Sequence, residues 1–317
     1  MGPVTAELGG LLPTAATDSP RVAAPQVVLP EPGGQSPTVG LIGRYRLQQV
    51  IGRGGSGVVY RAGHDRFPQL PPVVAVKVAH DGRVAGAEFR RQFQAHSRVS
   101  ALVDHPGVLR LVDGGVDLGR PYLVMPHIDG ADLARRLTAG ALSLGRVLVL
   151  LRQVADALDA MHSQGVLHLD VKPSNVLVGI PVRPPGAPTA EHAFLGDLGL
   201  CRFLSDRPGP FSADFVGSPR YASPEHLRGR AVAPAADLYS LTCVLYAALG
   251  GRPPYSGDIP AVVTGHLSGP VPSLSALTAL PRRVDGVIRR GMHPDPGSRF
   301  TSCKELISAA RSAILDR

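Results

Sequence analysis

The 317-residue chain is 44% hydrophobic, enough to bury a sizeable core as one large domain or two small ones. Its 33 Lys and Arg against 25 Asp and Glu leave a net charge of +8, but the basic positions come as pairs such as Arg90-Arg91, Arg135-Arg136 and Arg289-Arg290, with few aromatics between them; this argues against nucleic acid and leaves acidic partners or lipid headgroups as the plainer consequence. The three cysteines, Cys201, Cys243 and Cys303, are widely spaced without CxxC, which gives no disulfide framework or metal spacing and suits a reducing compartment.

Residues 1–43 carry Pro3, Pro13, Pro20, Pro25, Pro30, Pro32 and Pro37 among Gly, Ala, Ser and Thr without apolar periodicity. Such a segment cannot bury enough to offset its ordering entropy and is expected to be disordered, with order from about Arg44. MGPVTAELGG lacks a charged leader before an apolar core, so no signal peptide is expected. The runs RYRLQQVIG, GVVYRAGH and VVAVKV, separated by Gly or Pro, predict three strands of an antiparallel meander. Val84, Phe89, Phe93 and Val99 predict one amphipathic helix over 83–103, and GVLRLVDGGVD with RPYLVMPHI predict two more strands. Beyond Asp129 the pattern turns helical: ADLARRLTAG, then LGRVLVLLRQVADALDAMHSQG, whose last Gly suits a helix C-cap. Short strands are expected at 176–178 and 194–195, flanking PVRPPGAPTA as a surface insertion. Helices follow near 224–228, 235–249, 259–268, 281–291 and 303–315. The longest apolar window, 238–250, is shorter than the roughly 20 residues of a bilayer span, so it predicts a buried helix, no transmembrane segment and a cytoplasmic location. A β-rich part followed by a helical part predicts an α+β fold with a cleft between two lobes.

Four short constellations carry chemistry. The glycines of GRGGSGVV, Gly52, Gly54 and Gly57, let backbone N–H groups approach phosphate oxygens, and such a turn between strands can fold over a nucleotide; a plain hairpin turn is the competing reading. A dinucleotide fold is disfavoured, because a strand and not a helix follows. Lys77 in VAVKV lies among apolar residues on a strand, so its ammonium either snorkels to water or meets an anion such as phosphate. In HLDVKPSN, Asp170 is suited to accept or orient a hydroxyl proton, and Lys172 to steady a transferring phosphoryl group. Asn175, and Asp197 in GDLG 22 residues later, offer the oxygen ligands that Mg²⁺ prefers.

In this order the motifs resemble those of the eukaryotic-type protein kinases, most of all the bacterial serine/threonine kinases, over roughly residues 44–317. Heavy use of Ala, Gly, Pro and Arg with little Lys suits a high-GC bacterial genome. The resemblance implies a protein-kinase-like two-lobed fold, with a small β-rich N-lobe at about 44–128 and a larger helical C-lobe at about 129–317. It implies ATP and Mg²⁺ as cofactors, and Ser or Thr hydroxyls of protein substrates as acceptors. The nucleotide would lie against Ile51, Gly52, Gly54, Gly57, Val59, Ala75 and Lys77. Its adenine edge would meet the stretch Met125-Pro126-His127-Ile128, through the C=O of Pro126 and the N–H of Ile128. Lys77 would pair with the α- and β-phosphates, Asp170 would be the catalytic base beside Lys172, and Asn175 with Asp197 would hold Mg²⁺. Asp132 matches an acidic ribose contact, or equally a helix N-terminal acid beside the dipole. Lys172 points to Ser/Thr specificity, and Ser218 to the hydroxyl that bridges Asp170 and Lys172. GSPRYASPE resembles the segment ending in Ala-Pro-Glu, with Ser223 in place of the Ala; Arg299 matches the partner of Glu225, and Asp237 the buried acid tied to the catalytic loop. These late features are absent from small-molecule phosphotransferases that share the core, and they favour a protein substrate.

Two positions depart from the pattern. Leu169 stands where the family usually has an Arg that receives an activating phosphate, and between Asp197 and Gly217 there are Ser205 and Ser212 but no Thr. Control by loop autophosphorylation is therefore not expected. The family's helix Glu, partner of the strand Lys, falls on His96, 19 residues after Lys77 and 9 before His105. Imidazole cannot replace a carboxylate as an ion-pair partner, and Glu88 or Gln92, two turns and one turn earlier, would serve only after a helix shift or an indel. His96 thus supports an alternative, a pseudokinase or weakly active nucleotide-binding scaffold.

Overall fold

The structure, a computed structural model, describes residues 40–54, 57–64, 72–80, 83–140, 142–181, 191–205 and 217–316, with 83–89 and 181 described by backbone alone. In chain order the first part contains β1 (Gly40–Ile42), β2 (Tyr45–Gly54), β3 (Gly57–Gly63), β4 (Val73–Ala79), α1 (Arg83–Leu102), β5 (Asp113–Asp117) and β6 (Arg120–Pro126). The six strands form one antiparallel sheet in the order β1-β2-β3-β4-β6-β5. Alternation makes these strands: in β2, Tyr45 and Leu47 are buried while Arg46 and Gln48 face water. Tyr45, Leu47, Tyr60, Val74, Val76, Tyr122 and Val124 close the core on one face of the sheet.

The described residues begin at Gly40, four residues before Arg44. Gly40–Ile42 pairs antiparallel with the start of β2, and the turn works because Gly43 takes φ +55°, a left-handed conformation that costs glycine little. Ile42 is buried, which helps offset the ordering entropy of this stretch; the rest of the proline-rich segment, 1–39, lies outside the described residues. The strand expected from Gly107 starts only at Asp113. Residues 107–109 instead clamp Leu195, with Leu195 N–H donating to Gly107 O at 2.7 Å and Leu109 N–H to Leu195 O at 2.9 Å.

The second part opens with β7 (Ile128–Asp132), followed by α2 (Leu133–Thr138), α3 (Leu144–Ser163), β8 (Val166–Leu167), β9 (Val176–Pro181), β10 (His192–Leu195) and β11 (Arg202–Phe203). Five helices close the chain: α4 (Pro224–Leu227), α5 (Pro234–Gly250), α6 (Ile259–Ser268), α7 (Arg283–Gly291) and α8 (Cys303–Leu315). Ser143 caps the start of α3 by accepting Arg146 N–H, and Gly165 at φ +68° ends it as the sequence predicts. The apolar window at 238–250 is α5, buried nearly all round against α3, α7 and α8. No described helix is long and apolar enough to cross a membrane, and all three cysteines are free and buried.

Two small sheets were not fully visible in the sequence. β7 pairs with β9 and β9 with β10, and β8 pairs with β11. Gly130 and Gly179 face each other in the β7–β9 pair, so close that a Cβ on Gly179 would lie 2.3 Å from Asp129 O. The proline-rich insertion at 182–190 lies outside the described residues.

Candidate active site

The loop HLDVKPSN leaves β8 and is held by one buried carboxylate. Asp237 of α5, fully buried, accepts His168 N–H and Leu169 N–H, each at 2.8 Å, and also the Nε2–H of His162 at 2.8 Å. Burial alone would raise this carboxyl, but the donors from His162 and the loop backbone hold it below the ordinary carboxylate range. His168 has a defined tautomer: Nδ1 accepts Asp170 N–H at 3.2 Å, so Nε2 carries the proton given to Gly196 O at 3.1 Å. Leu169 sits at φ +64° with its side chain packed on Leu167, Val232 and Ala236.

Asp170 is 7% exposed and asymmetrically satisfied. Its Oδ2 accepts from Lys172 Nζ at 2.6 Å and from Asn175 Nδ2 at 2.9 Å, while Oδ1 is buried with no hydrogen-bond partner among the described residues. Lys172 Nζ also donates to Ser218 Oγ at 2.7 Å. Asn175 Nδ2 donates again to Asp170 O at 2.8 Å, which turns its amide oxygen away from the loop. Gly196 N–H donates to Asn175 O at 2.9 Å, and this bond brings Asp197 beside Asn175.

Asp197 adopts a left-handed backbone, φ +54° and ψ +60°, and accepts from Lys77 Nζ at 3.2 Å. The Lys77 side chain is 11% exposed and that of Asp197 42%. Enclosure by protein would raise the Asp197 carboxyl, yet the Lys77 and Lys172 charges outweigh it and leave it lowered. Strand register assembles the rest of this surface. Val59 pairs with Lys77, Lys77 with Leu123 and Ala75 with Met125, so alternation puts Val59, Ala75, Lys77 and Met125 on one face. Ile51, Gly52 and Gly54 lie on β2 beside it, with Gly52 opposite Val59 and Gly54 opposite Gly57. Gly57 is the glycine that the backbone requires, because a Cβ there would lie 2.2 Å from Val78 O. Gly55 and Ser56 lie outside the described residues. Pro126 ends β6 and Ile128 begins β7. Asp132 is the N-cap of α2, its Oδ1 accepting Arg135 N–H at 2.9 Å.

Beyond the loop, Arg299 and Glu225 meet as a buried bidentate pair, with both N···O distances 2.8 Å. Arg299 also donates to Ala235 O and His293 O, so its guanidinium is nearly saturated. Ser223, the departure from Ala, caps α4 by accepting His226 N–H at 3.4 Å. His96 lies beside the Asp197 loop, its Nε2 accepting Leu198 N–H at 3.1 Å. The side chain of Glu88 lies outside the described ones. Sequence reasoning missed His162, whose partner Asp237 is 75 residues away and leaves no local signal. Asp159, His162 and Cys303 also gather donor atoms, but Asp159 is engaged by Cys303 N–H and Lys304 N–H, and His162 by Asp237.

Residues 45–309 match the profile of the family described as protein kinase domain. Serine/threonine-protein kinase PknJ of Mycobacterium tuberculosis is 36% identical over 274 residues, 85% of this chain and 45% of that protein. PknE of the same organism is 35% identical over 86% of this chain and 46% of its own length. The chain therefore spans somewhat under half the length of these curated relatives. Among solved structures, a double-mutant form of the M. tuberculosis PknI kinase domain superposes with a TM-score of 0.65 at 30% identity, covering 85% of this chain and 96% of that one.

Proposed function

The chain belongs to the protein kinase domain family, and on that premise we propose that it transfers the γ-phosphoryl group of ATP to Ser or Thr hydroxyls of protein substrates. The observation that carries this reading is the half-satisfied carboxylate of Asp170. Oδ2 is fixed by Lys172 and Asn175, and Oδ1 is left as a buried acceptor without a partner among the described residues. A carboxylate oriented in this way is what a hydroxyl nucleophile needs to be aligned and to lose its proton.

The roles follow from the neighbours. Lys77 exchanges its contact with Asp197 for the α- and β-phosphates, and the face formed by Val59, Ala75 and Met125, with Ile51, Gly52, Gly54 and Gly57, covers the nucleotide. Pro126 C=O and Ile128 N–H address the adenine edge, and Asp132 the ribose. The residues also fit Mg²⁺: the free amide oxygen of Asn175 and the accessible carboxylate of Asp197 are hard donors on adjoining backbone. Mg²⁺ held there supplies charge neutralisation on the phosphate oxygens. The acceptor oxygen forms its bond to phosphorus as the bond to the bridging oxygen of ADP breaks, and the hydroxyl proton passes to Asp170. Lys172, shared between Asp170 and Ser218, steadies the transferring group. The Glu225–Arg299 pair supports a protein acceptor over a small molecule. The scaffold alternative rested on His96 alone, and the relatives PknJ and PknE carry serine/threonine-protein kinase names.

Purified protein incubated with radiolabelled ATP and a generic basic protein, beside Asp170→Asn, tests the proposal. The variant is expected to lose about 10²- to 10⁴-fold in rate while still being thermally stabilised by nucleotide. Equal labelling by both proteins would overturn it.

A further inference from the structure

His96 is 3% exposed and lies between the strand lysine and the Asp197 loop, yet the proposed chemistry gives it no part. Its one hydrogen bond fixes its electronic form. Leu198 N–H can only donate, so His96 Nε2 must present a lone pair, and the ring proton belongs on Nδ1. Burial agrees, pushing the imidazole down to about 4, with the Lys77 charge lowering it further against the opposing Asp197. Nδ1 is itself buried with no hydrogen-bond partner among the described residues.

Around this bond, α1 touches the segment after Asp197 at two more points. Gln92, one turn earlier on α1, packs so closely that a Cβ on Gly199 would lie 2.8 Å from its Cγ. The Arg98 guanidinium lies 3.6 Å from the centroid of the Phe203 ring. The helix is thus joined to Leu198, Gly199 and Phe203, and Lys77 is joined to Asp197. Asp197 keeps a left-handed backbone, uncommon for a residue with a Cβ, and the hydrogen bond to His96 falls on the next peptide N–H.

Resting on the kinase reading, we propose that His96 is a positioning residue that fixes the Asp197 loop to α1 through a neutral hydrogen bond to Leu198 N–H. Among the described residues the link between helix and loop does not pass through Lys77. The lysine can then move from Asp197 to incoming phosphates while the bond from His96 to Leu198 stays in place.

Two measurements test this. Long-range ¹H–¹⁵N NMR of histidine-labelled wild type, with His96 assigned by its absence from the His96→Gln spectrum, is expected to show Nδ1 protonated and Nε2 unprotonated. In phosphotransfer assays, His96→Ala is expected to lower kcat about tenfold, the worth of one positioning hydrogen bond, with KM for ATP changed less than about threefold. His96→Gln, whose amide oxygen can accept the same N–H without charge, is expected to return kcat to within about threefold of wild type. An Nε2–H tautomer, a fully active His96→Ala, or a His96→Gln as slow as His96→Ala would each overturn the proposal. The NMR result needs no turnover. If wild type and Asp170→Asn labelled equally, the kinase reading would fall, while the tautomer would still decide the helix-to-loop link.

Discussion

Ser218 reaches the catalytic loop from 46 residues beyond Lys172, and its hydroxyl is the second acceptor for an ammonium that already holds Asp170. An ammonium with two fixed acceptors keeps its place; with one it can swing toward water, and Asp170 then loses its alignment. Ser218→Ala is expected to lower kcat about tenfold, and Ser218→Thr, which keeps the hydroxyl, to stay within about twofold, both read from steady-state phosphotransfer rates. Leu169 shows the same economy of contacts. A left-handed leucine costs about 1–2 kcal/mol, and its N–H to the Asp237 carboxylate offsets that with a bond of about 1.5–3 kcal/mol.

Among the elements, the β7–β9 pair carries the tightest backbone contact. Asp132 at the end of β7 caps α2, and Asn175 leads directly into β9, so this pair sets the distance between the 125–128 stretch and the loop at 168–175. A Cβ on Gly179 would meet Asp129 O at 2.3 Å, and Gly179→Ala is expected to cost about 1–3 kcal/mol. Gly286 is exposed in mid-α7, and a Cβ added there would meet nothing within 4 Å, so Gly286→Ala should stabilise by about 0.5–1 kcal/mol. Thermal denaturation of the two variants should therefore move Tm in opposite directions. The same pair shows what the sequence could reveal. β2, β3 and β4 were legible because their alternation is local. IDGAD has a strand's conformation only because β9 supplies its ladder, and GVLRLV looked like a strand because Val108 and Leu109 are buried, yet Val108 meets β10 by a single isolated bridge to Leu195. Counting residues brought His96 to the position of the missing carboxylate. Its work was not legible, because its partner is a backbone N–H 102 residues away.

For the molecule as a whole, the loop at 168–175 is held by Asp237, by Gly196 through His168 and Asn175, and by Ser218 through Lys172. Where the family usually offers an arginine to a phosphorylated segment, Leu169 is buried against Leu167, Val232 and Ala236. A phosphoryl group carries a charge of about −1.5 to −2, and the Leu169 side chain offers it neither an ion pair nor a charge-assisted hydrogen bond. Ordering of the segment by that route would lack its main partner, so the active arrangement is expected to be the resting one. Treatment with a broad-specificity phosphatase, followed by intact mass to verify dephosphorylation, is expected to change kcat by less than about twofold, as is the joint replacement Ser205→Ala and Ser212→Ala. A tenfold fall on dephosphorylation would mean that a cation elsewhere in the chain receives the phosphate, and control of the whole molecule would then pass through the segment after Asp197 despite Leu169.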